Sequence, residues 1–156
     1  MNIIKTELVD AQYDILWNSI TALIGDATPR PVLVIVNTYG AGNAEEMQLK
    51  KMLDACRLLP EQYNILQMEH GQMVAWHQLR DRLQPEIIFL IGVLPSQLGI
   101  SALFSMNYPN SFDGKTWLAT VSMDELEKNA EVKKQLWQNG MQPTFIGRPL
   151  PSITSA

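Results

Sequence analysis

Residues 31–37 read PVLVIVN and residues 86–92 read EIIFLIG. Each is an unbroken apolar run, bounded by proline or glycine, with no alternation between apolar and polar positions. A strand with one wet face alternates, whereas a run of this kind suits a strand covered on both faces, as in a parallel sheet between helices. Two such runs in one chain constrain its fold more than any other feature. Residues 63–68, YNILQM, alternate and read as a further strand, and residues 116–121, TWLATV, as a last one.

Helical patterns fill the intervals. Residues 7–24 carry Leu8, Ile15, Leu16, Ile20, Leu23 and Ile24 on one side, and Gly25, Pro29 and Pro31 end that pattern. After 31–37 comes the tight turn Thr38-Tyr39-Gly40-Ala41-Gly42. Asn43 with Glu46 then forms an approximate capping box for a helix with Leu49, Met52, Leu53 and Cys56 at core spacing. Gly71 opens a pattern in which Met73, Trp76, Leu79 and Leu83 share a face, stopped by Pro85, and a short helix follows Pro95. Residues 106–114 read as a turn-rich loop, with Pro109, Asn110 and Asp113-Gly114. Residues 121–137, VSMDELEKNAEVKKQLW, read as a strand end, a cap at Ser122 and one long amphipathic helix.

Strands alternating with helices predict an α/β fold, a three-layer α/β/α sandwich around a parallel sheet. One domain is expected over residues 1–141, with an extended, proline-containing tail over 142–156 (Pro143, Pro149 and Pro151). Phe145, Ile146, Leu150 and Ile153 favour docking of part of that tail, because an idle terminus need not carry them.

With 156 residues and 46% apolar content the chain is long enough for one sizeable core. No apolar run reaches the length of a membrane span, and the N-terminus lacks the apolar block of a signal peptide, so a cytoplasmic protein is expected. A net charge of −4 without a basic run disfavours nucleic acid as partner. Lys50, Lys51 and Arg57 on one helix, and Lys133 and Lys134 on another, read as solvated faces. The single cysteine, Cys56, excludes an internal disulfide and a four-cysteine metal site, and lies on an apolar stripe as a core residue would. His70 and His77 have no partner at metal-ligand spacing. GxSxG, HExxH and CxxC are all absent, so neither a metal nor another cofactor is expected. Trp17, Trp76, Trp117 and Trp137 are spaced as packing residues.

In an open parallel sheet, ligands sit at the carboxyl ends of the strands where strand order reverses. The candidate loops are 37–43 and 92–97. They make a ligand- or partner-binding cleft of Asn37, Thr38, Tyr39, Gly40, Gly42, Asn43, Pro95, Gln97 and Ser122. The Gly40/Gly42 pair before a helix is neither a GxGxxG fingerprint nor a P-loop.

The order of these pieces resembles the uracil-DNA glycosylase superfamily. The matching segments are VNTYGAGNAEE from Val36, QLKKMLDACRLLPEQYNILQM from Gln48, PEIIFLIGVLPSQLGI from Pro85 and VSMDELEKNAEVKKQLW from Val121, with 129–133, NAEVK, the most specific. The resemblance implies a four-stranded parallel sheet in order 2-1-3-4. It also implies two catalytic groups, a first-loop acid or amide that positions a water and a histidine that stabilises the departing uracil anion. Here the first carboxylate is Glu45, already within the helix, and the histidine position is Ser122. A serine supplies neither the charge nor the donor strength an oxyanion needs in a dry pocket. Ser122 with Glu125 has a structural task as an S-x-x-E capping box. The scaffold is thus expected without the chemistry, and no catalytic residue is assigned.

Segments LLPEQYNILQM, from Leu58, and AEVKKQLW, from Ala130, also resemble the psi subunits of bacterial DNA polymerase III. That resemblance implies a bacterial protein-binding module with replisome partners, bridging the clamp loader to the chi subunit. The alternative is an enzyme or binding protein for a nucleobase or nucleotide, with Asn37, Asn43 and Gln97 reading the base through amide hydrogen bonds.

Overall fold

The computed structural model describes residues 27–37, 44–69 and 72–146. The helix expected over 7–24, the turn 38–43, His70, Gly71 and residues 147–156 lie outside the described residues.

Among the described residues five strands form one sheet in the order β2-β1-β3-β5-β4: β1 (Val32–Asn37), β2 (Tyr63–Met68), β3 (Ile87–Ile91), β4 (Pro109–Phe112) and β5 (Lys115–Thr120). The four strands expected from the sequence are present and pair in parallel. β1 lies between β2 and β3, with Val34 opposite both Ile65 and Phe89, and β3 pairs onward with β5. β1 and β3, the two unbroken apolar runs, are buried along almost their whole length because helices or loops cover both faces.

The fifth strand corrects the four-stranded expectation and the loop expected over 106–114. β4 runs antiparallel to β5, with Phe112 opposite Lys115 across a two-residue turn. Asp113 and Gly114 both take positive φ, 53° and 71°. That is the mirror-image turn whose twist matches the flanking strands, and an Asp-Gly pair favours it. At the sheet edge β4 needs little apolar surface, and Pro109, which cannot donate to a ladder, is tolerated as its first residue.

Helix α1 (Ala44–Ala55) connects β1 to β2, and α2 (Trp76–Leu83) connects β2 to β3. Because the chain moves outward from β1 to β2 and then back past β1 to β3, right-handed crossovers put these helices on opposite faces. On one face Val32, Val34, Phe89 and Leu118 pack with Leu49 and Leu53 of α1 and with Leu126, Leu136 and Phe145 from the C-terminal region. On the other, Leu33, Leu90 and Trp117 pack with Trp76, Leu79 and Leu83 of α2. Arg30 fastens the entry to β1, donating from Nη1 to the carbonyls of Pro60 (2.8 Å) and Tyr63 (2.9 Å).

Two helices differ from expectation. Residues 72–75 are not helical and α2 begins at Trp76; Val74 turns inward while Met73 is exposed. The single helix expected from Ser122 to Trp137 is broken into α3 (Met123–Lys128) and α4 (Ala130–Gln135). Asn129, extended at φ −125°, ψ 92°, ends the first, and its Oδ1 accepts from Val132 N at 3.2 Å to start the second. A side chain that satisfies a free N–H competes with helix continuation, and asparagine does so readily. Beyond α4 a π-helical segment (Leu136–Ile146) carries the chain back over the sheet. The tail expected to be extended from Gln142 is helical over 142–146, with Thr144 and Phe145 buried. No helix among the described residues is long and apolar enough to cross a membrane.

Candidate functional site

Strand order reverses between β1 and β3, so the carboxyl ends of these two strands are where an open α/β sheet receives a ligand. At that point Asn37, the last residue of β1, donates from Nδ2 to the carbonyl of Gly92 at 3.1 Å, directly after β3. Gly92 itself takes φ +72°, and its N–H donates to Thr120 O of β5 at 3.0 Å. A Cβ added to Gly92 would lie 2.5 Å from Asn37 Nδ2 and 2.8 Å from Ser122 Cα. Asn37, Gly92 and Ser122 therefore converge from three strand ends, and the glycine is required both by its backbone conformation and by the lack of space.

The open cleft lies one strand further along, between the ends of β3 and β5, and encloses about 620 Å³. Its floor is Gly92, Val93, Thr120 and Ser122, and its walls come from Pro95, Ile100, Leu103, Phe104 and Met106. A short 3₁₀ turn (Pro95–Leu98) forms one rim. The opposite rim is held by polar bonds. Asn110 accepts from Ser105 N (2.9 Å) and donates to the carbonyls of Ser105 (3.0 Å) and Tyr108 (2.8 Å). Behind it, Thr120 donates from Oγ1 to the buried Asn107 Oδ1 at 2.7 Å.

Among the described residues, none lining this cleft is ionisable; their polar groups are serine and threonine hydroxyls and backbone. Large apolar side chains at its mouth face solvent: Leu103 is 98% exposed and Leu94 63%. Met106 and, beside it, Tyr108 are exposed as well. Apolar side chains clustered around an apolar hollow are the usual character of a surface that another molecule covers.

Of the residues read from the sequence, Pro95 and Ser122 line the cleft, while Asn37 borders it through Gly92. Ser122 Oγ accepts from Glu125 N at 3.3 Å and so caps α3. Gln97 is turned away. Its Oε1 accepts from Leu94 N at 3.1 Å and its Nε2 donates to Gln72 O at 3.0 Å, while Gln97 O accepts from Val74 N at 2.8 Å. That side chain staples two loops together and offers nothing to a ligand. Thr38, Tyr39, Gly40, Gly42 and Asn43 lie outside the described residues. Leu94, Ser101, Leu103 and Met106 were not singled out from the sequence, because an apolar residue in a loop gives no local sign of whether it turns inward or outward.

Among the described residues the remaining titratable groups form no catalytic set. His77 is exposed on α2. Cys56 is buried in the core, and burial pushes its thiol up to about 12. No group of three or more His, Cys, Asp or Glu among the described residues is arranged to hold a metal ion.

A scan of the chain against protein-family models gives no match, and no curated protein matches it significantly.

Proposed function

We propose that the chain is a non-catalytic protein with a uracil-DNA glycosylase-like scaffold that works as a protein-binding module, psi-like in bacterial DNA replication. The observation that carries this reading is the cleft between the ends of β3 and β5. It is apolar, free of ionisable lining groups among the described residues, and ringed by exposed Leu94, Leu103 and Met106. Acid–base or nucleophilic chemistry needs a titratable group within reach of the reacting atom, and the described residues of this cleft supply none. Apolar side chains of a partner polypeptide, by contrast, gain by entering it. The parallel order β2-β1-β3-β5 matches the strand order the resemblance implies, with β4 as an added edge. Ser122, at the position of the catalytic histidine, serves as a helix cap.

In this role the protein is cytoplasmic, its partners are replisome components and the apolar cleft is the docking face. Two measurements test the reading. Purified clamp loader should bind the chain in calorimetry or co-elution, and Leu103→Asp should weaken that binding at least about tenfold, as removal of a central apolar anchor does. Uracil-containing single- and double-stranded DNA should remain intact on incubation. Uracil release above background would overturn the non-catalytic reading, and clamp-loader binding indifferent to Leu103 would remove the cleft from it.

A further inference from the structure

Residues 100–105, in one wall of the cleft, alternate in exposure. Ile100 is buried, Ala102 and Phe104 are half-buried, and Ser101, Leu103 and Ser105 between and beyond them are exposed. Ile100, Ala102 and Phe104 turn into the core that contains Trp117. A period of two marks an extended backbone. Both ends of the segment are anchored. Ile100 N donates to Pro95 O at 3.1 Å, and Ser105 N donates to Asn110 Oδ1 at 2.9 Å. Directly after it, Met106 bridges Ala119 of β5 in parallel, so the segment runs into the sheet.

Between these anchors the backbone is bare. Among the described residues, no hydrogen bond engages the N–H or C=O of Ser101, Ala102, Leu103 or Phe104. All four residues line the cleft. At 98% exposure Leu103 turns its main chain as well as its side chain to solvent. Natural proteins guard an unpaired extended edge with charges or proline, because its free N–H and C=O groups are a template for another strand. Residues 100–105, ISALFS, have neither, and the whole stretch 87–112 carries no Asp, Glu, Lys, Arg or His.

We propose that residues 101–104 are the edge to which an extended segment of a partner polypeptide adds as a strand, its alternate side chains entering the cleft. This rests on the reading of the cleft as a docking face and specifies what docks there. Main-chain hydrogen bonds to the bare edge align the partner, and apolar side chains at every second position fill the hollow of about 620 Å³. The described lining residues carry no charge. A carboxylate or ammonium at an inserted position would therefore lose its water without gaining a partner, and those positions are uncharged. A helix satisfies its own backbone and would leave that of 101–104 unused. The anchors already hold the segment extended, so little freedom is lost on pairing.

NMR titration of the full chain with synthetic octapeptides tests this. One, acetyl-Lys-Val-Thr-Leu-Thr-Val-Thr-Lys-amide, places its apolar residues at every second position. Another, acetyl-Lys-Val-Leu-Val-Thr-Thr-Thr-Lys-amide, has the same composition without the alternation. The alternating peptide should bind about tenfold or more tighter, and the amide signals of residues 101–104 should shift and exchange more slowly with solvent. Two N-methylated forms of it carry the methyl groups on the valine and leucine nitrogens or on the threonine nitrogens, which lie on opposite backbone edges. One form should lose about tenfold or more in affinity through the hydrogen bonds it cannot make, and the other should keep it. Leu103→Asp should weaken peptide binding by at least about tenfold with the melting temperature unchanged. Absence of binding, equal binding of the two octapeptides, equal losses from both methylated forms, or unmoved signals from 101–104 would each overturn strand pairing. So would self-association of the full chain, seen by sedimentation and abolished by Leu103→Asp, since a second copy would then be the occupant. Clamp-loader binding that depends on Leu103 can persist through any of these failures, so loss of the pairing mode is distinguishable from loss of the docking face.

Discussion

The Asn37 amide donates to the Gly92 carbonyl at 3.1 Å, locking the end of β1 to the end of β3 where strand order reverses. Gly92 cannot tolerate a side chain there. A Cβ would press on Asn37 Nδ2 and on the Ser122 backbone, and φ +72° is itself costly for an L-residue. Gly92→Ala should therefore lower stability by roughly 2–4 kcal/mol, overpacking and backbone strain together. Denaturant unfolding measures this; a change below about 1 kcal/mol would show that the strand ends give way easily.

Successive caps at Ser122 and Asn129 define the broken helix. Ser122→Ala and Asn129→Ala should each cost about 1 kcal/mol. The cleft should keep its shape in both, since the cap bonds point into the helices. A loss of partner binding in Ser122→Ala without a loss of stability would instead place its hydroxyl in recognition.

Trp76 Nε1 and Arg80 Nη1 both donate to Asp113 Oδ2, at 2.9 and 3.1 Å, tying the first turns of α2 to the β4–β5 turn. The Trp76 bond first, then that of Arg80, holds the Asp113 carboxyl below the ordinary carboxylate value. A folded-state value below the unfolded one makes this contribution complete above the unfolded value, about 3.9. It is lost as pH falls through the folded one. The melting temperature of wild type should exceed that of Asp113→Asn near neutrality, and the gap should narrow as pH falls below about 4. A gap that stays constant down to strong acid would show that packing of Trp76, not the charge, is what Asp113 secures.

Cys56 gives the opposite dependence. Its thiol ionises near 9 when unfolded and only at about 12 in the core. The unfolded state alone therefore loses its proton above 9, and stability falls as pH rises from there, by up to about 1.4 kcal/mol per unit from this group. Cys56→Ala, less stable at neutrality through the lost packing, should show a flatter decline between pH 8.5 and 10. Equal slopes for the two proteins would show that the thiol is reached by solvent.

Leu103, 98% exposed, makes almost no packing contribution. Leu103→Asp should change unfolding free energy by no more than about 0.5 kcal/mol. Its effect is expected on partner binding, so a large fall in stability would mean that the side chain is covered within the chain itself.

The sequence by itself determined the two central strands, since a strand covered on both faces must be apolar nearly throughout, as β1 is up to Asn37 and β3 is along its whole length. It also marked Ser122 as a cap, because an N-cap needs only one side chain and the N–H three residues on. The Asp113-Gly114 turn was equally local, but β4 beside it is an exposed edge strand with no apolar pattern, so its four residues read as loop. The second cap, at Asn129, was not read from the sequence, because the amphipathic pattern continues past it. Other features were decided only in three dimensions. Gln97 and Gln48 carry the same amide, yet Gln97 finds partners in Leu94 and Gln72, while α4 and the π-helical segment close over Gln48 and leave it none. The fate of a polar side chain depends on which distant backbone arrives beside it, and no local pattern encodes that arrival.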